Sequence, residues 1–168
     1  KENLSKSPIP PETEIIDYNR KNGEDFEKFI VAKFNRKYFT LKEWSGDKYI
    51  NGIYAETTPH PDLHLFFRLD GKQCEFSVEC KWRRRFQKNW LFIANPDQLI
   101  RYRKFENENR FPVFMAIGVG GTGSAPEELF ILPLKRIRTS FYHKYRIRVF
   151  KKDTDSAFYY HPEEQRLT

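Results

Sequence analysis

Cysteine is scarce in this sequence, and its scarcity excludes a fold held by disulfides or zinc. Cys74 and Cys80 lie six residues apart on one predicted strand, roughly 20 Å from each other and far beyond the reach of a disulfide. No Cys-x-x-Cys pair occurs and the four histidines are scattered, so no zinc-site pattern is present. We therefore expect free, buried thiols in a reducing cytosol, and a cytoplasmic protein.

Long apolar runs are also missing. No segment is apolar enough to span a membrane, and no signal peptide is present. There are no internal repeats or long low-complexity tracts. The chain begins at Lys1 without an initiator methionine, so we expect a fragment. A membrane anchor or a further domain upstream of Lys1 is kept as an alternative.

Acidic residues are fewer than basic ones. The 168 residues include 30 Lys and Arg against 23 Asp and Glu, which gives a net charge of +7. Such a charge favours a polyanionic partner, because cations that neutralise phosphates release condensed counterions. Charge alone is not specific, so it supports a nucleic-acid partner only together with a candidate site.

The chain divides into a short arm and one domain. Pro8, Pro10 and Pro11 disfavour a helix, so residues 1 to 22 are predicted to form an N-terminal arm or linker and residues 23 to 168 a single domain. The predicted helices cover residues 23 to 37 and 96 to 108. The predicted strands cover residues 38 to 44, 63 to 69, 73 to 82, 111 to 119 and 128 to 137, and a terminal pair of strands covers 145 to 150 and 157 to 160. A polar loop is predicted over residues 45 to 61. This order favours an α/β sandwich, a mixed sheet flanked by helices.

Two acids and a lysine are predicted to meet on the central hairpin. Side chains alternate along a strand, so Glu79 and Lys81 share one face. Asp62 begins the preceding strand, and a turn at Asp70-Gly71 brings it back beside Glu79. Two carboxylates can hold a hard divalent cation, and a neighbouring ammonium can position the attacking water. These residues predict metal-assisted hydrolysis of phosphodiester bonds.

Further motifs surround this group in a fixed order. The set comprises an acidic helix start at residues 23 to 27, Pro61-Asp62, Glu79-x-Lys81 on the next strand, and Gln98-x-x-x-Tyr102 on a later helix. Over about residues 23 to 119 the set resembles the PD-(D/E)xK, or restriction-endonuclease-like, nuclease superfamily. The resemblance implies an αβββαβ core with the active site on the central hairpin, here followed by extra C-terminal strands, and DNA as the substrate.

The carboxylates are candidate ligands for Mg²⁺, with Mn²⁺ as a substitute. Asp62 and Glu79 would bind through carboxylate oxygens, and the resemblance adds the backbone carbonyl of Cys80. Lys81 would orient the nucleophilic water and offset charge building on the phosphorus. The alternative for Lys81 is a surface ion pair with Glu79, worth about 0 to 1 kcal/mol.

A further carboxylate is expected from the first helix. Glu24 and Glu27 are three residues apart and share a helix face. The pattern Gly-x-x-Phe-Glu resembles the helix of the family, so Glu27 is the preferred additional catalytic and metal-binding residue and Glu24 the alternate. In the competing interpretation, both merely favour the positive end of the helix dipole.

Gln98 and Tyr102 lie one helical turn apart, so both can face the site. There they would hydrogen-bond the water, Lys81 or a nucleic-acid phosphate. The alternative is a tyrosine packed in the core beside an exposed glutamine.

A basic run leaves the active strand directly. Arg83, Arg84, Arg85 and Lys88 are candidates for gripping backbone phosphates, and Trp90 for stacking on a splayed base. A solvated loop is the competing interpretation.

Two other patterns are set aside. Residues 118 to 123 match Gly-x-Gly-x-x-Gly after a strand, but Pro126 follows where a nucleotide-binding helix should begin. A flexible connection between strands is therefore expected. His60 and His64 flank Asp62, yet isolated histidines near a loop are usually structural or exposed.

The sequence therefore predicts a Mg²⁺-dependent deoxyribonuclease, either an endonuclease or an exonuclease. A homodimer would suit an enzyme that cuts both strands. The alternatives are a non-catalytic nucleic-acid-binding module with the same fold, and a regulatory or interaction domain of a larger protein.

Overall fold

The computed structural model describes residues 12–45, 49–50, 53–54 and 60–168. The first eleven residues of the predicted arm and most of the predicted loop over 45 to 61 lie outside this part of the chain. In chain order the elements are α1 (Glu12–Ala32), β1 (Phe39–Trp44), β2 (Tyr49–Ile50), β3 (Ile53–Tyr54), β4 (Leu63–Leu69), β5 (Lys72–Arg83), β6 (Trp90–Phe92), α2 (Pro96–Asn109), β7 (Val113–Val119), β8 (Glu128–Pro133), β9 (Phe141–His143), α3 (Lys144–Ile147), β10 (Lys151–Lys152), β11 (Tyr160–His161) and β12 (Arg166–Leu167). No helix in these ranges is long and apolar enough to cross a membrane.

A six-stranded mixed sheet forms the centre, in the order β1-β4-β5-β7-β8-β10. Strands β5 and β7 are parallel and the other neighbours are antiparallel. All seven residues of β7 are buried, as expected of a strand that is covered on both faces. At the edges, β1 carries a register shift between Leu41 and Glu43, and β10 has only two residues.

The β4–β5 hairpin is paired in register along its whole length, from Leu63 opposite Val78 to Leu69 opposite Lys72. Its two turn residues, Asp70 and Gly71, both have positive φ angles, 50° and 76°. Two positive φ angles are what a two-residue turn needs if it is to match the right-handed twist of the strands. Asp62, the residue before β4, accepts a hydrogen bond from the Cys80 N–H, so it lies beside the part of β5 that carries Glu79, as predicted.

Each face of the sheet has its own hydrophobic core. Phe26 and Ile30 of α1 pack with the even-numbered side chains of β5, and both cysteines pack against this cluster. Leu99 and Tyr102 of α2 pack with the odd-numbered side chains of β7 on the other face. The fold is thus a mixed sheet between helices, and the predicted α/β class is confirmed.

Helix α1 begins at Glu12, eleven residues before the predicted start at Gly23. The acidic Glu12 and Glu14 favour its first turn, and ion pairs at i,i+4 spacing, such as Lys21 with Asp25, support its middle. The prediction treated Gly23 as a boundary, but Gly23 lies inside the helix. Residues 12 to 22 are therefore helical, and the domain boundary at residue 22 stays a prediction.

The predicted strand over residues 145 to 150 is wrong. Residues 144–147 form α3, and a 3-10 turn follows over 148–150. His143 caps α3, since its Nδ1 accepts a hydrogen bond from the Tyr145 N–H. Aromatic and β-branched residues favoured a strand in the sequence, but a four-residue helix is too short to show its periodicity. The predicted strand over 157 to 160 contributes only its last residue, Tyr160, to β11.

The glycine-rich segment after β7 joins two strands, as predicted. An added Cβ on Gly118 would lie 2.5 Å from the ring of Phe26. Gly120 and Gly121 have positive φ angles, and the Gly123 N–H donates to the Asn22 side chain. The glycines therefore serve a tight turn and close packing against α1.

Gly118→Ala should lower the free energy of unfolding by about 1 to 3 kcal/mol, because the added methyl overpacks the site against Phe26. Urea denaturation measures this change. Gly23→Ala is the matched control: nothing lies within 4 Å of its added Cβ, so the helix should gain about 0.5 to 1 kcal/mol. Equal effects of the two substitutions would contradict the close packing of Gly118 on Phe26.

Candidate active site

A buried ion pair lies near the end of β5. Lys81 Nζ is 2.6 Å from Glu79 Oε1, and the two side chains are 16% and 2% exposed. Both residues point toward the face covered by α2, as the alternation along the strand predicted. The alternative of a surface ion pair is wrong only in its exposure, since the pair with Glu79 forms but both side chains are largely buried.

Asp62 meets the same part of β5. Its side chain is buried, and Oδ2 accepts a hydrogen bond of 2.8 Å from the Cys80 N–H. Its own carbonyl accepts from the Ser45 N–H at 2.7 Å, which joins it to the end of β1. The structure thus brings together the three groups that the sequence singled out, on one side of the sheet.

Within the described residues, one oxygen of Glu79 is buried and makes no hydrogen bond of ordinary geometry. Oε1 is held by Lys81, whereas Oε2 has no such partner, although the Tyr102 hydroxyl lies close enough to hydrogen-bond the carboxylate and so raise its own pKa. A buried carboxylate oxygen without a partner is costly, because the group has lost its hydration. A cation supplies what such an oxygen lacks.

The donor set fits a small hard ion that keeps much of its own water. Within the described ranges no group of three or more His, Cys, Asp or Glu side chains could hold a metal ion. A closed site made only of protein ligands is therefore not formed there. Mg²⁺ is commonly bound through one or two carboxylates with waters and substrate phosphates, and Asp62 with Glu79 provides two buried carboxylates.

Glu27 approaches this region from α1. Its Oε2 accepts a hydrogen bond of 2.8 Å from the Trp44 indole N–H at the end of β1. Glu24, the alternate, instead forms an ion pair of 3.1 Å with Arg20 on its own helix. Trp44 was not singled out in the sequence, where nothing linked it to the helix acids.

The three acids create a negative field around Cys80. Burial raises the pKa of its thiol well above the ordinary value, and the carboxylates of Asp62, Glu27 and Glu79 raise it further. The thiol therefore stays protonated and has little nucleophilic character. Glu27, which lies on another element, is therefore near Cys80, although it forms no three-carboxylate group with Asp62 and Glu79 in the described residues.

Helix α2 brings Tyr102 to the site but not Gln98. Tyr102 is buried, and its pKa is raised by burial first and then by the nearby Glu79 carboxylate. Gln98 forms a capping box with Asn95: its Oε1 accepts from the Asn95 N–H, and its own N–H donates to the Asn95 side chain. Of the two side chains predicted to face the site, Tyr102 does so, whereas the Gln98 side chain caps the start of its own helix.

Arg101, beside Tyr102 on α2, was not singled out in the sequence. Its Nε is buried without a hydrogen-bond partner in the described part of the chain, and its charge acts on the Tyr102 hydroxyl. An arginine three residues after Gln98 on the same helix face was the only signal that could have found it.

The basic run divides into one structural residue and several exposed ones. The Arg83 guanidinium donates to the carbonyls of Trp82, Phe92 and Ile93, and burial lowers its pKa. These three hydrogen bonds inside the protein use the guanidinium that was predicted to bind phosphates, so Arg83 is less available for that role than Arg84 and Arg85. Arg84 and Arg85 are exposed.

A cleft of about 700 Å³ opens between α1 and β5 beside Lys81. Basic side chains line both walls: Arg20 of α1, which is paired with Asp17 and Glu24, and Arg84, which follows β5. Its other lining residues are Ile15, Ile16, Asn19, Gly23, Cys80, Lys81, Trp82 and Arg83. The shape and charge of this cleft suit an extended anionic chain.

No protein-family model and no curated protein sequence matches this chain. Among solved structures, it is similar to Hjc, a Holliday junction resolvase from the archaeal hyperthermophile Archaeoglobus fulgidus, with a TM-score of 0.51 and 12% sequence identity. The match covers 74% of this chain and 89% of that one. At this identity the likeness shows the fold: the chain has the restriction-endonuclease-like fold that the resemblance of its motifs implied.

Lys81→Met should destabilise the metal-free protein by about 3 kcal/mol, because it leaves the buried Glu79 carboxylate without its counter-charge. The double variant Lys81→Met/Glu79→Leu should recover most of that loss. Urea denaturation in EDTA measures both changes. Lys151→Met is the control, since Lys151 forms an exposed pair with Glu128 that should contribute only about 0 to 1 kcal/mol. A Lys81→Met loss no larger than the control's would contradict a buried pair.

Proposed function

We propose that this chain is a metal-dependent nuclease that hydrolyses phosphodiester bonds in DNA. One observation supports it most: Asp62, Glu79 and Lys81 lie together at the end of the central hairpin, and a buried oxygen of Glu79 makes no hydrogen bond of ordinary geometry to the described residues. The restriction-endonuclease-like fold, the basic cleft beside Lys81 and the net charge of +7 support it.

In this proposal Asp62 and Glu79 would hold Mg²⁺, with Mn²⁺ as a substitute. The Cys80 carbonyl would add a further ligand oxygen, and Glu27, which forms no three-carboxylate group with the other two acids in the described residues, would bind through a water molecule. When bound, the ion would polarise the scissile phosphate and make a bound water more acidic.

Lys81 has the geometry to position the attacking water. One of its three N–H donors is directed to Glu79 Oε1, which leaves two for a water molecule or a phosphate oxygen. Its charge would offset the negative charge that builds on the phosphorus in the transition state. Because the ammonium is held by a buried carboxylate, it needs little reorganisation during the reaction.

Tyr102 acts as a positioning residue. Its buried hydroxyl lies close to Glu79 and stays protonated at every physiological pH, since burial and the carboxylate raise its pKa. It therefore restricts the orientation of the carboxylate from the side of α2. Arg84, Arg85, Lys88 and Trp90 would contact the substrate outside the chemical centre.

Asp62→Asn, Glu79→Gln and Lys81→Ala should each lower the cleavage rate by on the order of 10²-fold or more, as expected for groups that act in the transition state. The assay uses plasmid, linear duplex, single-stranded and four-way-junction DNA with Mg²⁺, Mn²⁺ or EDTA. The four-way junction is included because the solved neighbour is a Holliday junction resolvase.

Glu75→Gln is the matched control for this assay. Glu75 lies on the same strand and face, four residues before Glu79, and is paired with His64 at 2.8 Å. Its replacement should leave cleavage unchanged. If metal-dependent cleavage survives in all three site variants, the catalytic assignment is wrong.

Binding and chemistry should separate in these variants. Lys81→Ala should retain DNA affinity to within a few fold, because Lys81 acts on the reacting phosphate. Arg84→Ala/Arg85→Ala should weaken affinity and reduce its salt dependence, because these exposed arginines would neutralise phosphates. Fluorescence anisotropy in EDTA at several salt concentrations measures both effects.

Lys72→Ala, at the opposite end of β5, is the control for the affinity measurements and should change nothing. An unaltered salt slope in the double arginine variant would remove these residues from the DNA interface. DNA binding without turnover in any metal would favour the non-catalytic binding module instead. Size-exclusion chromatography with light scattering, with and without DNA, tests the proposed homodimer.

A further inference from the structure

A two-stranded ribbon next to the site displays four rings on its outer face. Strands β6 and β9 pair antiparallel, with Trp90 opposite His143 and Phe92 opposite Phe141. The central pair, Leu91 and Tyr142, points inward and is buried in the α2-side core. Because side chains alternate along each strand, the four outer residues lie together on the other face.

These rings are held in fixed pairs and remain accessible. The centroids of Trp90 and His143 are 5.2 Å apart, and those of Phe92 and Phe141 are 5.1 Å apart. Trp90 is 49% exposed, Phe92 38% and Phe141 52%. Large exposed rings grouped on one face mark an interaction surface more often than rings scattered singly.

All the charged residues in the two segments that carry these rings are basic. Residues 80 to 96 contain five Lys and Arg, residues 129 to 152 contain eight, and neither segment contains an Asp or Glu. Together they hold thirteen of the chain's 30 basic residues and none of its 23 acidic ones. Glu128, just outside the second segment, lines a pocket with His143 and is paired with Lys151. The charge around the rings is therefore predominantly positive and favours an anionic partner.

Rings and cations line one common groove. A cleft of about 760 Å³ is bordered by Arg85, Gln87 and Lys88 on one part and by Trp90, Phe92 and Phe141 on another. Proteins that bind single-stranded nucleic acid use such a groove, in which the cations contact the phosphate backbone and the aromatic rings stack on successive bases.

The ribbon is tied directly to the catalytic strand. Arg83, two residues after Lys81, donates hydrogen bonds to the carbonyls of Phe92 at 2.8 Å and Ile93 at 3.0 Å. Two residues along a strand span only about 7 Å. A nucleotide chain stacked on the ribbon would therefore lie within a few nucleotides of the candidate site.

We propose that the outer face of the β6–β9 ribbon is a stacking platform for unpaired bases. The natural substrate is then DNA with a single-stranded segment beside the scissile bond, a conclusion that rests on the proposed nuclease function. A duplex does not fit this surface as well, because its bases are stacked on one another and present only their edges and phosphates. Unpaired bases expose the ring faces that Trp90 and Phe141 can contact.

Binding in EDTA tests the platform without any chemistry. Stacking of one base changes affinity by roughly 5- to 150-fold, so Trp90→Ala and Phe141→Ala should each weaken binding of labelled oligothymidylate by that factor. Affinity for blunt duplex should change by no more than about twofold. Quenching of tryptophan fluorescence by the oligonucleotide in wild type, lost in Trp90→Phe, gives a second readout.

Tyr159→Leu is the matched control. Tyr159 is also an exposed ring, but it packs on Phe67 at the α1-side core, across the sheet from the ribbon. The Tyr159→Leu variant should bind oligothymidylate and blunt duplex as tightly as the wild type does. Circular dichroism and urea denaturation confirm that the ribbon variants are folded. Unchanged oligothymidylate affinity in both folded ribbon variants would overturn the platform, as would equal losses on single strand and duplex.

Competition identifies the class of ligand. Anionic phospholipid vesicles and polyglutamate should not displace the oligonucleotide at matched charge concentration. Displacement by either, equal to that by unlabelled oligothymidylate, would overturn the assignment and make the surface a lipid- or protein-binding one.

Cleavage separates this inference from the proposed function. Wild type should prefer flapped or tailed duplexes to blunt ones in Mg²⁺, and Trp90→Ala should lose the preference while still cutting. Cleavage without any such preference would overturn the substrate inference and leave the nuclease proposal standing. Platform-dependent binding with no cleavage of any DNA would overturn the nuclease proposal and the substrate drawn from it.

Discussion

The register of the β4–β5 hairpin is the constraint on which the site depends. Asp70 and Gly71 close the turn with two positive φ angles, and the ladder runs without a bulge from there to Leu63 and Val78. A slip of one residue would turn every side chain of one strand to the opposite face. Asp62 reaches the part of β5 that carries Glu79 only because the turn has two residues and the ladder keeps its register up to Leu63 and Val78.

Burial determines the electrostatic properties of the groups at this site. The parallel pairing of β5 with β7 and the cover of α2 keep water away from Glu79 and most of Lys81. An unpartnered carboxylate oxygen inside a protein reduces stability, and functional sites are where proteins tolerate such a cost. The same burial explains why Tyr102 and Cys80 stay protonated: each loses hydration and faces carboxylates.

The sequence predicted the parts of the structure that have a strong local period. Alternation along residues 73 to 82 and the Asp-Gly turn predicted that Glu79 and Lys81 share a face with Asp62 beside them, and the structure places them so. It did not predict what depends on tertiary contacts. Gln98 could face either the site or its own helix start, and only the contact with Asn95 decides. Strands β6 and β9 have three residues each and pair across about fifty positions, which is too short and too distant for periodicity to detect. The start of α1 was placed too late because a glycine inside a helix and a glycine at its boundary look alike in a sequence.

The edges of the central sheet bear on how copies of this chain could associate. Strand β1 is interrupted by a register shift between Leu41 and Glu43, with Lys42 between them, and β10 is two lysines long. Irregular, short and charged edges discourage another strand from adding to a sheet. Fibre-like growth through exposed backbone is thereby disfavoured at both edges of the described sheet, which leaves side-chain contacts between helices or loops as the easier way for two copies to pair. Such contacts are more easily reversed than a continuous intermolecular sheet.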